Sequence, residues 1–233
     1  MNFLKTKGIV IKKNDFGEAD RYITIFSEEY GKLELFIKGI RKSKKRNQSS
    51  ADLLTLSEFT FYKKNNSLIL SSIDSIEYFY DIKNDLEKLE IASYILSIVN
   101  EIVLYGEQKK EFFQRLKKAL EFVTKNEDYY NYVMLLRMIN WIIKNEGYNI
   151  LIEGRKFFNV PQSTITDISN DKVIILEDIQ IDIIILINGD YLNLLNGKFT
   201  KKDILLVIYL FENYLNYHLD TKLNLKKHLL EGN

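Results

Sequence analysis

The sequence of 233 residues is 46% hydrophobic and 28% charged, which excludes global disorder and suits two compact units. It contains no cysteine, so disulfides, thiolate-held zinc, iron–sulfur clusters and cysteine nucleophiles are excluded by inventory. Its 33 Lys and Arg nearly cancel 32 Asp and Glu, and a net charge of +1 by itself points to neither nucleic acid nor membrane. The N-terminal segment MNFLKTKGIVIKKND is broken by lysine too often for a signal peptide. The most apolar stretch, residues 173 to 187, carries Glu177, Asp178 and Asp182, which are costly at the centre of a bilayer. A cytoplasmic protein without a membrane partner is expected.

From Lys5 to about Ser75 apolar and polar residues alternate with period two, the pattern of half-buried strands. Residues 7–13 hold Ile9, Val10 and Ile11, and residues 21–27 read RYITIFS. Residues 32–38 set Leu33, Leu35 and Ile37 opposite Lys32, Glu34, Phe36 and Lys38. Phe59 and Phe61 alternate in a fourth strand, and residues 68–73 follow the Asn65-Asn66 turn as a fifth. Five short strands in this span suit a small Greek-key barrel of the OB type.

After Tyr80 the period changes, with Leu89, Ala92, Leu96, Val99 and Val103 forming a helical stripe. Asn84 and Glu87 offer a capping box, and Gly106 a helix end. Phe112 to Val123 and Tyr132 to Ile143 mark two further helices, the second ending near Gly147. Helices are also predicted over residues 201–217 and 221–230. Between them, residues 173–176 and 179–187 are rich in β-branched side chains, with Asn188-Gly189 as a hairpin turn. The expected class is α+β: an OB-fold barrel over residues 1–80, then an α-helical domain over 81–233 with an irregular, partly β insert at about 150–199.

Charge is segregated. Residues 1–80 hold 14 Lys or Arg against 10 Asp or Glu, whereas the remainder is net acidic. Lys38, Arg41, Lys42, Lys44, Lys45 and Arg46 crowd between two predicted strands with no acid among them. Such a cluster gains nothing from a folded core, but against a phosphate backbone each cation releases counterions. A solvated loop with no partner would have the same composition. Phe36 falls on the polar face beside Lys38, and Tyr62 stands next to Lys63 and Lys64, so aromatics interleave with cations as in stacking sites for single strands. Cross-strand packing is the alternative use of both rings. Arg21 is either paired to an acid or faces phosphate.

Thr6-Lys7-Gly8-Ile9-Val10-Ile11-Lys12, then Phe16-Gly17-Glu18-Ala19-Asp20-Arg21 and Thr24-Ile25-Phe26, then Tyr30-Gly31-Lys32 and Lys38-Gly39-Ile40-Arg41-Lys42-Ser43, resemble in order and spacing the N-terminus of the bacterial recombination mediator RecO. Tyr94-Ile95-Leu96, Leu136 through Gly147-Tyr148, and Tyr214-Leu215-Asn216-Tyr217-His218-Leu219 with Lys222-Leu223 extend the resemblance toward the C-terminus. It implies an OB-fold and a helical domain in a non-enzymatic protein of recombinational repair that binds single- and double-stranded DNA and anneals complementary strands. It further implies action with RecR and the single-strand binding protein to load RecA, and association with the nucleoid. Many family members carry a four-cysteine zinc motif after the glycine-tyrosine matching Gly147-Tyr148. This sequence lacks it, so residues 150–199 are expected to hold their shape by packing alone.

No catalytic constellation competes. Glu18, Asp20 and Arg21 lack a third group for nuclease chemistry and are expected to shape a turn. His218 and His228 have no carboxylate at ligand spacing. Gly197-Lys198 is followed by Phe199, which rules out a phosphate loop. Neither cofactor nor nucleotide is expected. A protein-interaction adaptor, whose helical domain binds partners while the basic loop is incidental, is the competing reading.

Overall fold

The computed structural model describes residues 2–43, 48–170, 173–196 and 198–228. The chain divides into two compact units, Met1–Thr124 and Lys125–Asn233. The change from strand to helix falls at residue 80, as the period predicts, while the first compact unit runs on to Thr124.

In the first unit, β1 (Phe3–Phe16), β2 (Asp20–Ser27), β3 (Gly31–Ile37), β4 (Leu56–Lys64) and β5 (Ser67–Glu77) close into a barrel in the order β1-β2-β3-β5-β4. All five predicted strands are present, and the topology is that of an OB-fold. β1 is longer than its apolar pattern because it serves two partners: Phe3–Ile9 pair with β4, and Gly8–Phe16 pair with β2 after an irregularity between Val10 and Lys12. Val10, Ile23, Ile25, Leu35, Ile37, Phe59, Phe61 and Leu70 fill the interior. Between β3 and β4, 3-10 turns at Ile40–Lys42 and Gln48–Ala51 bury Ile40 and Ala51 in that same core. β3 meets β5 in parallel at only two register pairs, Leu35 with Leu68 and Phe36 with Ile69.

The unit continues through α1 (Tyr80–Lys83), α2 (Leu86–Ile102) and α3 (Lys110–Lys125). The cap of α2 is Asp85, whose carboxylate accepts from the Lys88 N–H at 3.0 Å. The predicted Asn84–Glu87 box does not form: Asn84 closes α1, and the cap falls one residue later on Asp85. Phe26 of β2 meets Phe112 and Phe113 of α3 edge-on, at 5.7 and 5.8 Å. Gly106, expected to end a helix, lies beyond it at φ +75°, and its N–H donates to the Lys32 carbonyl at 3.0 Å.

The second unit contains α4 (Tyr129–Asn145), a small sheet of β6 (Leu151–Ile152), β7 (Phe157–Asn159), β8 (Thr164–Thr166) and β9 (Val173–Ile175), then α5 (Asp178–Asn188) and α6 (Lys201–Leu219). The sheet order is β6-β8-β7-β9, the partly β insert that was expected. Two local expectations fail. Residues 179–187 form a helix, not a strand with a hairpin: Glu177 and Gln180 make a capping box, and Ile181, Ile184 and Ile187 are buried at helical spacing. Tertiary burial overrides β-propensity here. The helix predicted over 221–230 is, among its described residues, a single 3-10 turn at Leu225–Lys227. Side chains of α6 take the backbone donors that a helix would use: Asn216 accepts from the Leu223 N–H at 2.8 Å and Glu212 from the Leu225 N–H at 2.6 Å. No helix among the described residues is long and apolar enough to cross a membrane.

Candidate nucleic-acid interface

The β1–β2 turn is laced to the segment that follows β3. Gly17 turns at φ +56°, the Asp20 carboxylate accepts from the Gly39 N–H at 2.7 Å, and the Arg41 N–H donates to the Ala19 carbonyl at 3.0 Å. Asp20 therefore shapes the turn, as expected, while Glu18 is mostly exposed and pairs with Lys42. Arg21 resolves to the acid-paired of its two alternatives. Its side chain is 10% exposed, with Nε 2.8 Å from Asp15 and Nη1 3.4 Å from Asp52. That hydrogen bond holds the Asp15 carboxyl below the usual carboxylate range. The largely buried guanidinium, held by two carboxylates, braces the turn.

The remaining predicted cations are distributed differently. Arg41 lies 3.3 Å from Asp15 and also donates to the Gly17 carbonyl. Lys42 pairs with Glu18 at 2.6 Å, both side chains being mostly exposed. Exposed pairs of this kind contribute about 0–1 kcal/mol, so either partner exchanges readily for a stronger one. Lys38, Lys63 and Lys64 are exposed, the last two at the end of β4 ahead of the Asn65-Asn66 turn. Lys44, Lys45 and Arg46 lie outside the described residues.

Phe36 is half-buried on the outer face of β3, its ring centroid 4.9 Å from Tyr22 and 6.4 Å from Phe16. Phe16 in turn stands edge-on to Tyr22 at 5.5 Å. Three rings thus form one aromatic surface across β1, β2 and β3, and packing and exposure coexist in it. Sequence reasoning found Phe36 and missed Tyr22 and Phe16, although the β2–β3 register that pairs Tyr22 with Phe36 was implicit in the two alternations. Tyr62 sits in a separate edge-on pair with Phe3, its register partner across β1 and β4.

Beside this surface, a cleft of about 340 Å³ opens between β3 and the β4–β5 turn, lined by Tyr22, Lys32, Phe36, Asn66, Leu68 and Tyr105. Lys32, placed on the polar face by the alternation, is instead 6% exposed. Its ammonium donates to the Asn100 carbonyl at 2.6 Å and lies 4.7 Å from the centre of the Tyr105 ring. Burial pushes this ammonium below the ordinary lysine range.

Residues 1–79 match the protein family described as Recombination protein O N terminal. Among curated proteins, the DNA repair protein RecO of Acetivibrio thermocellus is 42% identical over 127 residues, which cover 54% of this chain and 51% of that protein. Its counterpart in a Thermoanaerobacter species is 32% identical over 123 residues, 53% of this chain and 50% of that protein. This chain resembles RecO. It spans about half the length of the curated RecO proteins it matches.

The zinc motif found in many RecO proteins has no counterpart in donor chemistry here. The sequence has no thiolate, and no cluster of three His, Asp or Glu able to hold a metal occurs among the described residues. After Gly147-Tyr148 a hydrogen-bonded aromatic cluster fastens the small sheet to α6. The Tyr214 hydroxyl reaches the Tyr148 carbonyl at 3.1 Å and the Ser163 hydroxyl at 2.5 Å, and Phe158 packs 5.3 Å from the Tyr214 ring. His218 lies 4.6 Å from the Tyr148 ring, with Nε2 2.9 Å from the Val160 carbonyl.

Proposed function

We propose that this chain is a non-enzymatic DNA-binding protein of recombinational repair, which holds single strands on the outer β2–β3 face of its barrel. The observation that carries the reading is the outer aromatic surface of exposed Phe16 and half-buried Tyr22 and Phe36 in a RecO-type barrel that also displays Lys38, Lys42, Lys63 and Lys64. Aromatic faces accept any base, and cations follow the backbone, so the combination suits single strands of arbitrary sequence. Double-stranded DNA would be held by charge alone. Arg41, Lys44, Lys45 and Arg46 extend the basic set, while Tyr62 belongs to it only insofar as its ring parts from Phe3.

Annealing then requires no bond chemistry. Cations placed between two strands screen the repulsion of their phosphates while complementary bases search for register. The resemblance to RecO also makes RecR, the single-strand binding protein and, through them, RecA the partners to test, in a nucleoid setting.

Salt titration of oligonucleotide binding tests the reading. Neutralising Lys44, Lys45 and Arg46 to Gln lowers single-strand affinity and flattens the slope of log affinity against log salt by about 0.7 for each phosphate that is no longer neutralised. An unchanged slope and unchanged affinity in the folded variant would refute it.

A further inference from the structure

We infer that the cleft between β3 and the β4–β5 turn is a pocket for one nucleobase turned out of a single strand lying on the β2–β3 face. The inference rests on the DNA-binding reading above and adds to it a defined subsite. A volume of about 340 Å³ lies at the lower end of small-ligand pockets and has room for one planar base. Tyr22 and Phe36, two of the three rings of the aromatic surface, are also part of the pocket lining, so a strand stacked on that surface passes its mouth.

The far wall is built rather than incidental. The chain after α2 lies along the part of β3 that β5 leaves unpaired, through a bridge between Lys32 and Tyr105 and the Gly106 N–H donated to the Lys32 carbonyl. It can run there only because residue 31 is glycine: a Cβ at Gly31 would stand 1.9 Å from the Glu107 carbonyl oxygen. The result presents the Tyr105 ring, 61% exposed, across the cleft from Phe36.

The polar groups suit the edge of a base better than an anion. Lys32 lines the cleft as a donor, one of its three N–H groups taken by the Asn100 carbonyl and its ammonium beside the Tyr105 ring, and a ring carbonyl or ring nitrogen is the matching acceptor. Glu34, on the rim, accepts from an amino or imino N–H, and Asn66 both donates and accepts. A phosphate or an acidic peptide would meet the Glu34 carboxylate and apolar walls of Leu33 and Leu68, whereas a neutral ring gains stacking from the same walls.

Tyr105→Ala tests this, since the side chain is mostly exposed and its loss leaves the barrel core untouched. The probes are a single-stranded oligonucleotide carrying 2-aminopurine and the duplex of the same sequence. The parent protein quenches 2-aminopurine on binding; the variant loses the quenching and about 5- to 150-fold of single-strand affinity, the contribution of one stacked base, with duplex affinity unchanged. Parent binding with a variant that keeps both quenching and affinity overturns the pocket while leaving the DNA-binding reading standing. Equal losses on single strand and duplex overturn it too, and a parent that binds neither probe overturns both claims.

Discussion

Gly31 gives the sharpest test of how the first unit is assembled. Its φ is +66°, and Gly39 has nearly the same backbone at φ +68°, but a Cβ at Gly39 would meet nothing within 4 Å. Gly39→Ala therefore measures the left-handed strain alone, about 1–2 kcal/mol. Gly31→Ala carries the same strain and in addition drives a methyl into backbone at 1.9 Å, so the strip around Glu107 has to move by more than an ångström. That movement breaks the Gly106 to Lys32 hydrogen bond, which contributes about 0.5–1.5 kcal/mol, and uncovers Lys32. The strain cancels between the two variants, so the expected gap is at least the hydrogen bond's contribution of about 0.5–1.5 kcal/mol. Trp141, the sole tryptophan, belongs to the other unit, so native-state hydrogen exchange of peptides covering β3 is the suitable readout. Equal destabilisation by the two substitutions would mean that the strip does not cross β3 at Gly31.

Two further outcomes follow from buried groups. Arg21→Gln removes the hydrogen bond that depresses the Asp15 carboxyl, so its titration, read by carbonyl carbon shifts, moves up toward the ordinary value of 3.8; an unmoved Asp15 would show that Arg21 does not hold it. Burial lowers the His228 imidazole below its ordinary 6.5. The unfolded chain therefore binds a proton that the folded one refuses, and the resulting stability, full above pH 6.5, is lost as pH falls through the folded value. Thermal unfolding followed by Trp141 fluorescence should show this loss in the parent and less of it in His228→Gln; identical pH profiles would contradict it.

What the sequence disclosed and what it hid divide along the reach of the contacts. The alternations around Ile23, Leu35 and Phe59 give the barrel because a half-buried strand writes its period locally. The Tyr30-Gly31-Lys32 motif is visible too, but its reasons are not: Tyr30 packs edge-on to Phe61, Gly31 admits Glu107, and Lys32 reaches Asn100, all far away in sequence. For Arg21 the sequence leaves an acid partner or phosphate open, and only the fold brings Asp15 and Asp52 onto it. In α5 the β-branched run points to a strand, and the burial of Ile181, Ile184 and Ile187 outweighs it. Of the candidate site, the sequence names Phe36 and the cations, of which Lys44, Lys45 and Arg46 lie outside the described residues; Phe16, Tyr22 and the Tyr105 wall need the fold.

The two-pair parallel seam between β3 and β5 has a kinetic consequence. β1, β2 and β3 form an up-and-down meander through short reversals, whereas the seam must await β4, β5 and the intervening excursion. Long loops close late and at greater entropic cost, so this junction should be the last stave fitted and the first to spring. Anything wedged against Phe36 and Leu68 would act on the hinge line of the whole cylinder.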